Sequence, residues 1–163
     1  IAKGEVSTPI LCDNTIRSTL DAALLFEALD RSVNPTELLK KVNNMLKPGG
    51  LCFITCLLSS GFEVNVLGQA SGVFIPPVRM NILSFEGMNA LIDKVTGFEV
   101  LEFSTPGVLD IPNVVKQLDL VDNANFFYYL FKQRDDTELV SSFQNFLQLN
   151  RLGTFGRLVL RKK

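Results

Sequence analysis

Residues 20–55 read LDAALLFEALDRSVNPTELLKKVNNMLKPGGLCFIT, and this stretch decides the fold. Continuous apolarity over 20–26 predicts a strand that is buried on both faces, as in a parallel sheet. The sequence Asn-Pro-Thr-Glu at 34–37 has the capping pattern of a helix start, and apolar residues then recur at helical spacing. A second apolar run at 51–58 predicts another buried strand. Strand, helix and strand with short joints form a βαβ unit, which predicts a right-handed crossover.

Two adjacent glycines follow a lysine and a proline at 47–50, inside this unit. A phosphate-binding loop places its glycines after a strand and before a helix, so that the helix N-terminus faces the phosphate. Here the order is reversed, because the glycines come at the negative end of the helix dipole. The sequence therefore favours a structural role, in which Pro48 ends the helix and Gly49 and Gly50 allow the turn into the strand.

The rest of the chain alternates between strand-like and helix-like patterns. The predicted elements are a short strand with a loop over 1–19, a lid or binding loop over 59–83 that could hide a short helix, a helix capped by Ser84, a strand at 98–103 with one wet face, mostly helical structure over 112–134, a helix that starts at 135–138, and a final strand at 157–161. This order predicts an α/β fold, with a parallel-rich sheet, an antiparallel edge and helices on its faces.

Composition and charge exclude several classes of function. A chain of 163 residues is long enough for one domain with a sizeable core. Its formal net charge of -1 lacks the positive field that a nucleic-acid binder needs. The longest apolar runs are far shorter than the roughly 20 residues that span a bilayer. We therefore expect no nucleic-acid partner and no membrane partner.

The chain has no histidine, and its three cysteines are Cys12, Cys52 and Cys56. The lack of histidine excludes Ser-His and Cys-His nucleophile pairs and most zinc sites, so no metal site is expected. Cys52 and Cys56 lie four residues apart in one apolar run. In a strand they would be roughly 13 Å apart, too far for a disulfide. Small buried thiols are typical of a reducing compartment, which predicts a cytoplasmic protein.

Three groups of residues are candidates for a functional site. Glu27 and Asp30 follow the first buried strand, and ligands of doubly wound sheets bind beyond the carboxyl ends of strands. The alternative is that both are solvated loop acids. Arg79, Asn81 and Ser84 precede a helix, where they could line a pocket or serve in a turn and a helix cap, and for Ser84 the cap is favoured. The aromatic residues at 126–131 could be core, a subunit contact or a ligand surface.

The ordered set of segments resembles a known family. The stretch 20–55, followed by PPVRMNILSFEGMNALIDKVTGFEVLEFSTPGVLD at 76–110, resembles the latter half of the class I S-adenosylmethionine-dependent methyltransferases. The resemblance implies a Rossmann-like sheet of seven strands, of which 21–26 and 51–57 would be the fourth and fifth. Residues 98–103 and 157–161 would be antiparallel hairpin partners at one edge.

The resemblance also implies positions for ligands. Phe26, Glu27, Ala28 and Leu29 would lie at the strand end that approaches the methionine part of S-adenosylmethionine, and Asp13 would match an acidic position that meets the adenine. Substrate-binding residues would be Arg79, Asn81 and Tyr128, with a small molecule as the methyl acceptor. The catalytic residues stay open, because a base could be Asp, Glu, Tyr or Lys.

The chain departs from the family pattern at its cofactor-binding half. The glycine-rich loop, the acid that holds the ribose and any G-x-G motif are absent. Residues 1–163 are therefore predicted to be a single methyltransferase-like domain that lacks its N-terminal cofactor-binding strands, and to bind the cofactor weakly or not at all. The alternative is an inactive fragment or an interaction module, as a homodimer or paired with the missing half. A nucleotide-sugar enzyme fragment is a third, less favoured reading.

Overall fold

The computed structural model describes residues 17–122, 124–134 and 136–163. Its strands are β1 (Leu20–Phe26), β2 (Leu46–Leu57), β3 (Phe98–Ser104) and β4 (Phe155–Lys162). Its helices are α1 (Ala28–Arg31), α2 (Pro35–Met45), α3 (Phe62–Leu67), α4 (Phe85–Lys94), α5 (Asp110–Gln117), α6 (Asn125–Tyr128) and α7 (Thr137–Leu149). Short 3-10 turns follow α3 and α5, and a π-helical turn at Tyr129–Gln133 continues α6. In the part of the chain that the structure describes, no helix has the length and apolarity to cross a bilayer.

The four strands form one sheet in the order β1-β2-β4-β3. β1 and β2 are parallel, and β4 runs antiparallel to both β2 and β3. This confirms the predicted βαβ unit, and it places the predicted antiparallel pair at one side of the sheet with β3 at the edge. Among the described strands β1 forms the opposite edge, so the parallel pair lies at one border of the sheet. The prediction that this strand is buried on both faces was wrong for the described residues, because no described layer covers the face of Leu24 and Phe26 and Leu25 is the buried residue of the strand.

The helix between the parallel strands starts and ends close to its predicted bounds. The Asn34 side chain accepts a hydrogen bond of 3.1 Å from the Glu37 backbone N–H, which is the predicted cap. The Lys-Pro-Gly-Gly segment at 47–50, however, does not form a turn before the strand, because β2 already begins at Leu46. They bulge out of the ladder between the pairs Leu20–Leu46 and Ala22–Leu51, with Gly49 at a φ of 80°.

The main core lies on one face of the sheet, under α2 and α4. Alternate strand residues, among them Leu25, Ile54 and Leu158, point to this face and are buried. Cys52 and Cys56 belong to the same cluster and are free thiols, and burial raises the pKa of Cys52 to about 12. The structure therefore confirms them as small buried residues without a disulfide.

A second, helical part packs at the carboxyl edge of β1 and β2. We call α3, α5, α6 and α7 the helical unit. Its centre is a set of phenylalanine rings, in which Phe62 contacts Phe127 and Phe143 at centroid distances of 5.2 and 5.3 Å. The aromatic segment at 126–131 is thus partly core, as predicted, while Phe126 and Tyr129 are exposed. The segment 59–83 contains α3, which agrees with the alternative that this predicted loop hides a short helix.

Candidate functional site

A cleft of about 500 Å³ opens at the carboxyl ends of the parallel strands. We call it the carboxyl-edge cleft. Glu27 follows β1, Leu57 ends β2 and Phe155 begins β4, so the sheet supplies one wall. The other walls come from α3, from α5 and from the loop between β3 and α5. The remaining lining residues are Glu63, Pro106, Gly107, Val108, Leu109, Asp110, Asn113 and Thr154. This is the edge at which open α/β sheets bind their ligands.

Two buried carboxylates fix the walls of the cleft. Glu63, which is only 4% exposed, accepts hydrogen bonds of 2.7 Å from the Ser71 hydroxyl and from the Asn113 side-chain amide. Asp110 accepts bonds from the backbone N–H of Thr154, at 2.6 Å, and from the Gln144 amide, at 3.1 Å. These bonds join α3, α5, α7 and the start of β4, so the cleft has a preformed shape rather than a loose one.

Glu27 occupies the sharp turn that ends β1. Its φ of 49° is left-handed, which is uncommon for a residue with a side chain, and its backbone N–H bonds Thr55 on β2. Its carboxylate accepts hydrogen bonds of 3.1 Å from both Arg31 and Arg79. The Arg31 hydrogen bond, helped by Arg79, lowers the pKa of Glu27 in spite of its partial burial. Glu27 is therefore an ionised carboxylate that is already shared by two guanidinium groups.

Asp30 lies behind Glu27 and is 1% exposed. Its carboxylate accepts a hydrogen bond of 2.9 Å from the Leu57 backbone N–H, and its backbone carbonyl accepts from the N–H groups of Met80 and Asn81 at 2.8 and 3.1 Å. Burial raises the pKa of Asp30 to about 6, although the Leu57 bond opposes the rise. Asp30 thus connects the acidic turn to the end of β2 and to the loop before α4. It is a buried structural residue rather than a solvated acid.

The predicted cofactor residues separate in the structure. Glu27 lines the carboxyl-edge cleft, but Leu29 is buried in the core and Phe26 is 64% exposed on the other face of the sheet. Ala28 is half-buried and packs against the core. Asp13 lies outside the described residues. Their role toward a cofactor therefore stays a prediction.

The predicted substrate residues are held by protein partners. Arg79, whose side chain is 13% exposed, bonds Glu27 and reaches the carbonyl of Val73 at 3.4 Å. The Asn81 side chain donates to the Ser32 carbonyl. Tyr128 is on α6, where the Lys132 ammonium lies 5.2 Å from its ring centre. None of these three lines the carboxyl-edge cleft, and a role in substrate binding stays a prediction.

The residues that the sequence did not identify are Glu63, Asp110 and Asn113. Each is joined to its partners across a long stretch of chain, with Asn113 bonding Glu63 50 residues away and Thr154 bonding Asp110 44 residues away. The signal in the sequence was the acid at position 63 in the apolar segment FEVNVL, since a buried carboxylate needs dedicated partners. Within the described ranges, no group of three metal-ligating side chains comes together.

Comparisons with known proteins give similarity at the level of structure. No protein-family model and no curated protein matches the chain. The [4+2]-cyclase SpnF has 17% identity, covers 93% of this chain and 54% of its own, and gives a TM-score of 0.50. A complex of the Haloferax volcanii methyltransferase activator Trm112 with a methyltransferase has 17% identity to this chain and a TM-score of 0.50. The match covers 90% of this chain and 55% of the other. An S-adenosylmethionine-dependent methyltransferase from Mesorhizobium loti has 14% identity and a TM-score of 0.49. That match covers 90% of this chain and 63% of the other.

These similarities confirm the predicted fold class. The chain has a mixed α/β fold that matches Rossmann-like methyltransferases, with one parallel pair, antiparallel strands and flanking helices. It spans about half the length of the solved structures that it matches. The cyclase among them shows that such a fold is not bound to one chemistry, so the function has to be inferred from the site.

The described residues do not fit a complete S-adenosylmethionine site. At the end of β1, Leu29 is buried in the core, and Glu27 is already bound by two guanidinium groups. No G-x-G turn is present in the chain to approach a nucleotide. The described residues thus offer one wall at the carboxyl edge, without a cradle for the adenosine.

Proposed function

We propose that this chain is the acceptor-side portion of an S-adenosylmethionine-dependent methyltransferase that acts on a small molecule in the cytoplasm. The observation that carries the proposal is the carboxyl-edge cleft, which lies at the ligand-binding edge of a methyltransferase-like sheet. The helical unit walls this cleft with buried hydrogen bonds, as a pocket for a small ligand requires.

The chemistry of methyl transfer makes few demands on the acceptor side. S-adenosylmethionine, when bound, supplies an electrophilic methyl group, and the protein has to hold the acceptor atom in line with it. A preformed cleft of about 500 Å³ can provide that positioning. Its charged lining side chains are Glu27, Glu63 and Asp110, all of them acidic. Because the guanidinium groups of Arg31 and Arg79 already bind Glu27, the two remaining acids, Glu63 and Asp110, are what favours a neutral or amine-containing acceptor over an anionic one.

Binding of small molecules to the carboxyl-edge cleft can be tested with two matched variants. Val108, in the loop before α5, and Leu120, in the 3-10 turn after α5, are both exposed apolar residues, but only Val108 lines the cleft. We expect saturation-transfer NMR with neutral and amine fragments to show binders that Val108→Trp loses and Leu120→Trp keeps. Fragments that bind equally well to both variants would place the binding surface elsewhere and contradict the proposal.

Cofactor binding is the second part of the proposal. Because the described residues supply only one wall, we expect the 163-residue chain to bind S-adenosylmethionine weakly or not at all, and activity to require the cofactor-binding strands. Formation of S-adenosylhomocysteine by a protein that contains those strands, with a small-molecule acceptor present, is the direct assay. Hydrolysis or cyclisation of the acceptor without methyl transfer would contradict the proposed methyltransferase function.

A non-enzymatic function is the second candidate, and it is favoured by the outer edge of β1, which pairs with no strand among the described residues. An unpaired strand at a sheet edge is a template for pairing with another chain. The module would then act as a homodimer or as one half of an assembled protein. Sedimentation equilibrium at several concentrations distinguishes these cases, because a strict monomer excludes the homodimer.

A further inference from the structure

The wall of the carboxyl-edge cleft that α3 and α5 supply contains a chain of hydrogen bonds that all point toward Glu63. The Val73 backbone N–H donates to the Ser71 hydroxyl oxygen at 3.2 Å, and that hydroxyl donates to Glu63 Oε1 at 2.7 Å. The other carboxylate oxygen, Oε2, accepts from Asn113 Nδ2 at 2.7 Å. Glu63 therefore accepts from both of its neighbours and donates to neither.

The chemistry of the groups makes this direction strict. A backbone N–H can only donate, so the Ser71 hydroxyl that accepts from it keeps its own hydrogen for Glu63. A carboxylate has no hydrogen to give and can only accept. Ser71 and Glu63 are 3% and 4% exposed, so water cannot replace a bond that is lost. Because a buried polar group without a partner is costly, reversal of any one bond in the chain is unfavourable.

The orientation of the Asn113 carboxamide follows from this chain. A carboxamide has a donor NH2 group on one branch and an acceptor oxygen on the other, and a rotation exchanges them. Since Glu63 only accepts, it holds Nδ2 and leaves Oδ1 on the other branch. Asn113 is half-buried and lines the cleft, and its Oδ1 is not one of the buried polar atoms that lack a partner. Oδ1 bonds none of the described residues, so it is an acceptor that a molecule in the cleft can reach.

The neighbouring acceptors of this wall are already occupied. Asp110 accepts from the Thr154 N–H through Oδ1 and from the Gln144 amide through Oδ2. The Gly107 carbonyl accepts from the same Gln144 amide at 2.9 Å. Asn113 Oδ1 differs from these groups, because its capacity for a hydrogen bond is left for a ligand.

We infer that Asn113 determines which molecules the carboxyl-edge cleft binds, since its Oδ1 accepts a hydrogen bond from an N–H or O–H group of the ligand. Glu63 and Ser71 are the positioning residues that keep Oδ1 available. The inference rests on the proposed function in one respect, because it takes the methyl acceptor as the ligand. It narrows that acceptor to a molecule with a hydrogen-bond donor, such as an alcohol or an amine. A ketone or an ether, which only accepts, leaves Oδ1 without a partner.

The same chain predicts the effect of Glu63→Gln. The substitution keeps the shape of the side chain but gives it one oxygen and one NH2 group. The Ser71 hydroxyl still has to donate, so the new oxygen faces Ser71 and the new NH2 group faces Asn113. Asn113 then has to rotate its carboxamide in order to accept, which turns Nδ2 toward the cleft. We therefore expect this isosteric substitution to replace the acceptor in the cleft by a donor.

Two neutral probes with the same ring test the preference of the cleft: cyclohexanol donates a hydrogen bond, and cyclohexanone only accepts. Because both are uncharged, loss of the Glu63 charge affects them to a similar extent. In chemical-shift titrations we expect the wild type to bind cyclohexanol about three- to tenfold more tightly, which is the range for one hydrogen bond. Glu63→Gln should abolish or reverse this preference. The control Glu138→Gln, at an exposed site of α7 outside the cleft, should keep it.

A second measurement reads the Asn113 side chain directly. In the wild type, the NMR signal of its carbonyl carbon should move when cyclohexanol is added and stay in place with cyclohexanone, because only the alcohol donates to Oδ1. In Glu63→Gln, the signal of its NH2 nitrogen should respond to cyclohexanone instead. Urea unfolding shows whether this variant keeps the fold, and the wild-type result stands without it.

Three results would each overturn the inference. The first is a wild type that does not bind cyclohexanol more tightly than cyclohexanone. The second is a folded Glu63→Gln variant that keeps the preference for the alcohol. The third is an Asn113 carbonyl signal that does not respond to cyclohexanol. None of these experiments reads methyl transfer, so the inference can fail while the proposed function stands. A donor preference in a protein that transfers no methyl group would refute the proposed function alone.

Discussion

Asp30 makes the stability of the fold depend on pH in a direction that can be calculated. The pKa of this carboxyl rises from an ordinary value of 3.8 to about 6 because it is buried beside Leu57. The folded state therefore holds its proton at pH values where the unfolded chain has released it. Stability from this group is fully present below pH 3.8 and is lost as the pH rises through about 6.

The size of the effect follows from the same two values. At about 1.4 kcal/mol for each pKa unit, the rise amounts to up to about 3 kcal/mol in the free energy of unfolding. Asp30→Asn removes the titration, while an amide oxygen can still accept the Leu57 N–H. We expect the free energy of unfolding of the wild type, minus that of Asp30→Asn, to fall by up to about 3 kcal/mol between pH 3.5 and roughly pH 6.5.

Urea unfolding at several pH values measures this difference. The control is Asp93→Asn, which removes an exposed carboxylate from α4. The free energy of unfolding of each variant is subtracted from that of the wild type at the same pH. This difference removes the contribution of all other titrating groups that do not contact the mutated site. A difference for Asp30→Asn that stays constant within about 0.5 kcal/mol over this range would refute the reasoning. So would a difference that rises with pH, because burial would then not be the dominant cause.

Two further predictions concern packing. A Cβ at Gly61 would lie 2.4 Å from the backbone of the residue before β4, whereas one at Gly72 would meet nothing within 4 Å. Gly61→Ala should therefore lower the free energy of unfolding by about 1–3 kcal/mol in urea titrations, and Gly72→Ala should leave it nearly unchanged; equal effects would contradict the packing. Because Cys52 and Cys56 are buried, the Cys12→Ser variant should release no thionitrobenzoate from Ellman's reagent until it is unfolded. Rapid native reaction would contradict their burial.

Local sequence patterns were sufficient for the elements and for the fold class. The cap at Asn34, the cap at Ser84 and the two apolar runs each act within a few residues, and each is present in the structure. The alternation of apolar and acidic residues at 98–103 was sufficient to place β3 at an edge, because an edge strand keeps one face in water. The antiparallel pairing of β3 with β4 was predicted from the resemblance to methyltransferases and not from a local pattern.

The geometry of the site could not be predicted in the same way. The bulge at 47–50 depends on the register with β1, which no residue within the stretch determines. The walls of the carboxyl-edge cleft depend on hydrogen bonds such as Asn113 to Glu63, between residues that only the folded chain brings together. The burial of Asp30 could not be predicted either, because its carboxylate bonds the end of β2 and its carbonyl bonds residues 80 and 81, which are distant in the sequence.

Titration of S-adenosylmethionine into the 163-residue chain, by isothermal calorimetry, tests the central claim most directly. The claim is that these residues form the acceptor side of a methyltransferase and supply only one wall of the cofactor site. It predicts no saturable heat up to about 1 mM cofactor for this chain, and saturable binding for a protein that also contains cofactor-binding strands. Micromolar binding to the 163-residue chain alone would contradict the claim, because the described residues would then hold the cofactor by themselves.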